Sequence, residues 1–193
     1  MSLFVLMAVR PIEEGKSRLA AKLTLDERKS LNLNMFRHVF EVVRQVVPPD
    51  RVIVISRSAA LLEEIRTAGA HPVKEAAIGL NPALAQSSQV AADRGATALL
   101  SISSDLPFLE ADDIGALLGA GADVVIATDV ARNGTNALLV RRPFAIPFRY
   151  GEGSLAAHRA AAAEAGLTVE VVERPGLARD IDTPSDLQQL RHG

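Results

Sequence analysis

Ala98-Leu99-Leu100-Ser101-Ile102-Ser103-Ser104-Asp105-Leu106-Pro107 is an apolar run that ends abruptly in an acid. Its first residues suit a strand buried on both faces of a sheet, and Leu106-Pro107 turns the chain away just beyond Asp105. The pattern places a carboxylate at the carboxyl end of a strand. In open α/β sheets ligands bind in the crevice beyond those ends, which makes Asp105 a candidate metal or phosphate-site residue. The same residue also suits a cap on the following turn or helix, and the decapeptide alone does not separate the two roles.

The flanking chain alternates strand and helix. Leu3 to Val9 reads as a first strand, Arg51 to Ser56 as a second and His71-Pro72-Val73 as a short third. Thr24-Leu25-Asp26-Glu27 is a capping box opening a helix to about Val47, with Leu31, Met35, Val39, Val42 and Val46 on its apolar face. Ala59 to Ala68 is a helix stopped by Gly69, and Gly79-Leu80-Asn81-Pro82 opens another to about Arg94, with Asn81 as N-cap and Pro82 at N1. Beyond Asp105 come a helix from about Ala111 to Leu118, strands at Asp123–Ala127 and Ala137–Val140, and an alanine-rich helix from Leu155 to Ala165 with Ser154 as N-cap. A last strand, Thr168 to Glu173, precedes a terminal helix with Thr183 as N-cap, Pro184 at N1 and Asp186 at N3. Such alternation predicts an α/β fold with a parallel sheet. The loop Thr128 to Asn136 is too short for a crossover helix, so at least one strand is antiparallel and the sheet is mixed but mostly parallel.

With 193 residues, 48% of them hydrophobic, a formal charge of −2 and no linker-like segment, the chain reads as a single domain, 1–193, without a general polyanion-binding surface. Nucleic acid is not an expected partner. The absence of cysteine excludes thiolate ligands and leaves oxygen or imidazole, favouring a hard cation such as Mg2+. The apolar amino-terminal run has no basic flank and is too short to span a bilayer, so no membrane partner and a cytoplasmic location are expected.

Candidate site residues lie in the loops. Arg10, Lys16 and Arg18 follow the first strand and could gather the oxygens of a polyphosphate, although the loop has neither a P-loop nor a dinucleotide-binding glycine pattern. Gly79 with Asn81 offers main-chain groups to a ribose or base. Thr135 and Asn136, in the turn after Gly134, present a hydroxyl and an amide to an anion, and Gly151, Gly153 and Ser154 let a ligand approach a helix amino terminus. A plain turn is the competing reading for the first of these, and His158, one helical turn on, suits a structural histidine. Capping does not account for Asp180 and Asp182. Alternation puts them on one side of an extended segment, where a cation shared with Asp105 would relieve their repulsion.

In this order, Lys16-Ser17-Arg18-Leu19-Ala20, Gly79-Leu80-Asn81, Asp105-Leu106-Pro107, Gly134-Thr135-Asn136-Ala137-Leu138, Tyr150-Gly151-x-Gly153-Ser154 with His158, and Asp180-Ile181-Asp182-Thr183-Pro184 span nearly the whole chain. Together they resemble the 2-phospho-L-lactate guanylyltransferase family of coenzyme F-420 biosynthesis, whose bacterial members use phosphoenolpyruvate or 3-phosphoglycerate. The resemblance implies a three-layer α/β/α nucleotide-diphospho-sugar transferase (Rossmann-like) fold, with GTP and a small phosphorylated carboxylic acid as partners and pyrophosphate as the leaving group. It implies Mg2+ on Asp105 with Asp180, Asp182 or both. It also implies Lys16 and Arg18 at the triphosphate, Gly79 and Asn81 near the guanosine, and Thr135, Gly151, Gly153 and Ser154 around the acid. The family usually shows Lys where this chain has Arg10, and Phe where it has Leu155. A cytidylyltransferase of the molybdenum-cofactor type and a non-catalytic nucleotide or organic-phosphate sensor remain the alternative readings. The sequence leaves the oligomeric state open, a homo-oligomer included.

Overall fold

The computed structural model describes residues 2–190. The apolar runs become seven strands: β1 (Leu3–Ala8), β2 (Val52–Ser56), β3 (His71–Lys74), β4 (Ala98–Ile102), β5 (Val124–Ala127), β6 (Ala137–Val140) and β7 (Val169–Val172). They form one sheet in the order β3-β2-β1-β4-β6-β5-β7. All neighbours pair in parallel except β6, which is antiparallel to both β4 and β5. The strand that the short Thr128 to Asn136 loop requires to be antiparallel is therefore β6.

The helices are α1 (Leu25–Val46), α2 (Ala59–Thr67), α3 (Leu80–Asp93), α4 (Ala111–Gly119), α5 (Ser154–Glu164), α6 (Pro175–Ala178) and α7 (Asp186–Gln189). Strand alternation distributes them over two faces. Leu3, Val5 and Met7 pack with Phe36 and Val39 of α1 and with Ile114 and Leu117 of α4, whereas Phe4 and Leu6 point the other way, toward Ala83 and Leu84 of α3. On that second face Leu155 and Ala162 of α5 cover Val124, Ile126 and Leu138. A sheet covered on both sides explains why its strands read as continuous apolar runs. No helix among the described residues is long and apolar enough to cross a membrane.

Helix starts follow the expected capping at α1 and depart from it at α3, α5 and α7. Thr24 accepts from the Glu27 N–H while the Glu27 carboxylate accepts from the Thr24 N–H at 2.7 Å, the expected capping box. At α3 the cap is Gly79 instead of Asn81, because the Asn81 amide is engaged by the Tyr150 main chain. At α5 Gly153, left-handed at φ +69°, takes the cap position and Ser154 becomes the first helical residue. Before α7, Thr183 does not cap; its N–H and hydroxyl both donate to Asp186, and the helix begins at that acid. Helix α6 has no periodic signature in the sequence.

After β1 the chain builds β2 and β3 on one side and then crosses to β4 on the other, so the connections leaving β1 and β4 diverge and open a crevice. The reversed direction of β6 brings the start of that strand to the same edge. The acidic segment reaches it through α6, where Arg174 Nε donates to Asp113 Oδ1 at 2.9 Å. A β-carbon on the buried Gly176 would collide with the Phe108 carbonyl and the Asp113 carboxylate. Gly176→Ala is expected to destabilise the chain by about 2 kcal/mol or more through overpacking. A lowered urea midpoint would register it, and an unchanged midpoint would show that the helix has room to move.

Candidate functional site

A cleft of about 640 Å³ occupies the crevice, with Ala8, Ser101 and Ile102 from the ends of β1 and β4 in its lining. The loop after β1 folds as two short 3-10 turns, Ile12–Glu14 and Ser17–Leu19, with Lys16 between them in the left-handed region at φ +57°. That conformation is uncommon outside glycine and asparagine. It accompanies a lysine side chain only 7% exposed, whose Nζ donates to Asp105 Oδ2 at 2.5 Å and to Asp182 Oδ1 at 2.8 Å. Burial works against the Lys16 charge, but the two carboxylates outweigh it and its pKa rises above the ordinary value.

Asp180 completes an acidic cluster, in which one oxygen from each of Asp105, Asp180 and Asp182 lies within 4.8 Å of the others. The expected alternation holds, since the intervening Ile181 is fully buried with Leu19 and Met35 on the opposite side. Asp182 is fixed from behind, its N–H donating to Asp186 Oδ2 at 3.0 Å. Asn136 ties the start of β6 to the same segment, its Nδ2 donating to the Leu177 carbonyl at 2.9 Å and to Asp180 Oδ1 at 3.4 Å. Burial, and then the charges of Asp105 and Asp182, push the Asp180 carboxyl up to about 6. Three carboxylates opposed by one ammonium form an oxygen-only donor set that fits a hard divalent cation.

The opposite wall is made by Thr135, Tyr150, Gly151 and Ser154. Thr135 Oγ1 lies 3.0 Å from Nδ1 of the fully buried His158, and Nε2 of that ring accepts from the Arg149 N–H at 2.9 Å. Burial lowers the His158 pKa to about 4. The Tyr150 hydroxyl pairs with Ser101 Oγ at 2.6 Å, and Asn81 grips the Tyr150 main chain from both sides, donating to its carbonyl at 3.0 Å and accepting from its N–H at 2.8 Å.

Of the residues singled out in the sequence, Arg10, Lys16, Gly79, Asp105, Thr135, Asn136, Gly151, Ser154 and Asp182 line one cleft. Asp180 joins through the acidic cluster. Arg18 is exposed on the second turn, and Arg18, Asn81 and Gly153 lie outside the lining. Arg57 and Glu75 also line the cleft, joined at 3.2 Å, with Glu75 Oε1 accepting from the Gly79 N–H at 3.1 Å. They follow β2 and β3 directly, and the rule that draws attention to Asp105, a charge at a strand's carboxyl end, applies to them as well.

A family model described as guanylyl transferase CofC like matches residues 3–193. The chain belongs to this family. It is 44% identical over 193 residues to a phosphoenolpyruvate guanylyltransferase of Rubrobacter xylanophilus, covering 98% of this chain and 94% of that one. It is 30% identical over 188 residues to a 3-phospho-D-glycerate guanylyltransferase of Colwellia psychrerythraea, covering 96% and 90%. Among solved structures, a nucleotidyl transferase from Methanothermobacter superposes with a TM-score of 0.70 at 19% identity, over 99% of this chain and 96% of that one. The CofC-like chain thus has the three-layer α/β nucleotide-diphospho-sugar transferase fold, and it is an enzyme of the nucleotidyltransferase class.

Two groups at the site titrate in opposite senses on folding. The His158 pKa falls from 6.5 to about 4, so the unfolded chain binds the extra proton and stability drops as the pH falls across that window. The Asp180 pKa rises from 3.8 to about 6, so the folded chain takes up a proton there and offsets part of the loss. In the presence of a chelator, Asp180→Asn is expected to lose stability more steeply than the native chain between about pH 6 and pH 4. Urea unfolding across that range tests this, and parallel curves would contradict it.

Proposed function

We propose that this chain, acting as a single nucleotidyltransferase domain, transfers GMP from GTP to the phosphate of a small phosphorylated carboxylic acid and releases pyrophosphate, the guanylylation step of coenzyme F-420 biosynthesis. Phosphoenolpyruvate is the preferred acid, ahead of 3-phosphoglycerate and 2-phospho-L-lactate. The observation that carries this reading is the convergence, at one sheet edge, of a buried ammonium and three carboxylates with a hydroxyl-bearing wall. The family membership and the 44% identical phosphoenolpyruvate guanylyltransferase support the choice of nucleotide and acid.

The chemistry asks for positioning and charge neutralisation. An oxygen of the acceptor phosphate attacks the α-phosphorus of GTP, a new P–O bond forms, and the bond to the pyrophosphate oxygen breaks. The nucleophile is already an anion, so no general base is required. Bringing two anions together is opposed by Coulomb repulsion, which Lys16 and Arg10 in the cleft reduce along the triphosphate, each such contact being worth on the order of 3 kcal/mol of barrier, whereas Arg18, outside the lining, is assigned no contact. Asp105, Asp180 and Asp182 would hold Mg2+, which supplies Lewis-acid stabilisation of phosphoryl oxygens. Gly79 faces the guanosine, and Asn81 holds the adjoining wall through Tyr150. Thr135, Gly151 and Ser154 receive the acid, with Gly153 and Asn136 shaping the turns that present them.

Incubation with Mg2+, GTP and each acid in turn is expected to release pyrophosphate, fastest with phosphoenolpyruvate, and CTP is not expected to replace GTP. No release with any acid would remove this reading. Asp105→Ala should lower kcat by about a hundredfold or more with an unchanged circular dichroism spectrum. Near-native turnover in that variant would take Asp105 out of the reaction.

A further inference from the structure

His158 is a fully buried, chemically competent side chain that the transfer reaction leaves unused. It sits in the second turn of α5 behind the acceptor wall, its ring edge-on to Tyr150 with centroids 5.0 Å apart. Its bonding partners fix its tautomer. The Arg149 main-chain nitrogen, 2.9 Å from Nε2, can only donate, so Nε2 carries a lone pair. The ring is then neutral with its one proton on Nδ1, the nitrogen 3.0 Å from Thr135 Oγ1. The Ser154 main chain also acts on the ring, and after burial it is the next largest influence on its titration.

A protonated Nδ1 cannot accept a hydrogen bond. The Thr135 hydroxyl therefore receives a bond from the ring, and its own proton is left to point elsewhere. Thr135 lines the cleft. The reversed tautomer would draw the hydroxyl proton into the ring and turn oxygen lone pairs toward an incoming anion, which is repulsive.

We infer that His158 is a positioning residue that, as the Nδ1–H tautomer, holds the Thr135 hydroxyl as a donor to an anionic oxygen of the acceptor acid, while its Nε2 braces the backbone leading into Gly151. This rests on the reading of Thr135 as part of the acceptor site. It assigns the histidine no contact with substrate and no proton transfer; its effect passes through Thr135. The acceptor class it suits is one that offers anionic oxygens to that wall, a phosphate or a carboxylate.

Two measurements test it on the full chain. Imidazole 15N shifts of His158, assigned by their absence in His158→Asn, are expected to show Nδ1 protonated and Nε2 as acceptor, and the reverse pattern overturns the inference. Initial rates at saturating GTP and Mg2+ with varied phosphoenolpyruvate are expected to show KM for the acid raised about tenfold in Thr135→Val and in His158→Leu, with smaller changes in kcat and in KM for GTP. The double variant should be no more than about twofold worse than either single one, because both remove the same hydrogen bond. His158→Asn, which places an amide donor near the Nδ1 position, should recover most of the loss. If Thr135→Val raises KM and His158→Leu does not, the positioning role fails and the acceptor-site reading stands. If Thr135→Val has no effect, or the native chain shows no turnover, the acceptor-site reading itself fails. Should His158→Leu not fold, the tautomer and the asparagine variant decide, and a KM in His158→Asn as poor as in Thr135→Val overturns the inference.

Discussion

The ammonium of Lys16 joins chain segments that are 89 and 166 residues away in sequence, bonding Asp105 after β4 and Asp182 near the carboxyl terminus. Partly buried ion pairs of this sort, with the ammonium buried and Asp182 half exposed, contribute little net stability, because desolvation offsets much of the attraction, but removing a carboxylate leaves the buried ammonium less well compensated. The arrangement therefore acts more on geometry than on stability. Its backbone is held accordingly. Asn32 of α1 donates to the Ile12 carbonyl at 3.0 Å, and a side chain at Gly15 would run into Asn32, so the loop packs closely on the helix just before the left-handed Lys16. Turned inward, this lysine places a buried positive charge between Asp105 and Asp182 in the crevice supplied by the β1 and β4 crossover.

Much of the sheet was legible because burial on both faces favours nearly continuous apolar runs, such as Leu3 to Ala8 and Ala98 to Ile102, the latter interrupted only by Ser101. Capping was legible at Thr24, whose partners are three residues away, and illegible at Asn81, Ser154 and Thr183. At those positions local propensity competes with a remote main chain, a left-handed glycine or a neighbouring acid, none of which periodicity reveals. The acids of the site stood out because Asp180 and Asp182 exceed what a helix start requires. That Lys16 lies between Asp105 and Asp182 was not legible, since it depends on a backbone conformation rare for its residue type. Arg57 and Glu75 carry the same signal as Asp105, a charge at a strand's carboxyl end, but no flanking motif reinforces it.

The two walls of the cleft are mechanically connected. Asn81 belongs to α3, on the Gly79 side, yet its amide closes on the Tyr150 main chain that leads into the opposite wall. His158 grips the same stretch one residue earlier, through the Arg149 N–H. The approach to Gly151 is thus pinned from α3 and from α5, and Ser101 of β4 adds a third point through the Tyr150 hydroxyl.

The reversed direction of β6 carries one more consequence. Because that strand ends at Val140, away from the cleft, the chain must travel back over the sheet to deliver Gly151, and it does so as a non-repetitive stretch seated on the face by Ile146 and Phe148. No strand register or helical phase constrains the length of this return. On the proposed reading, the stretch that delivers the acceptor wall is therefore separate in the chain from the strand ends that carry Asp105 and Lys16.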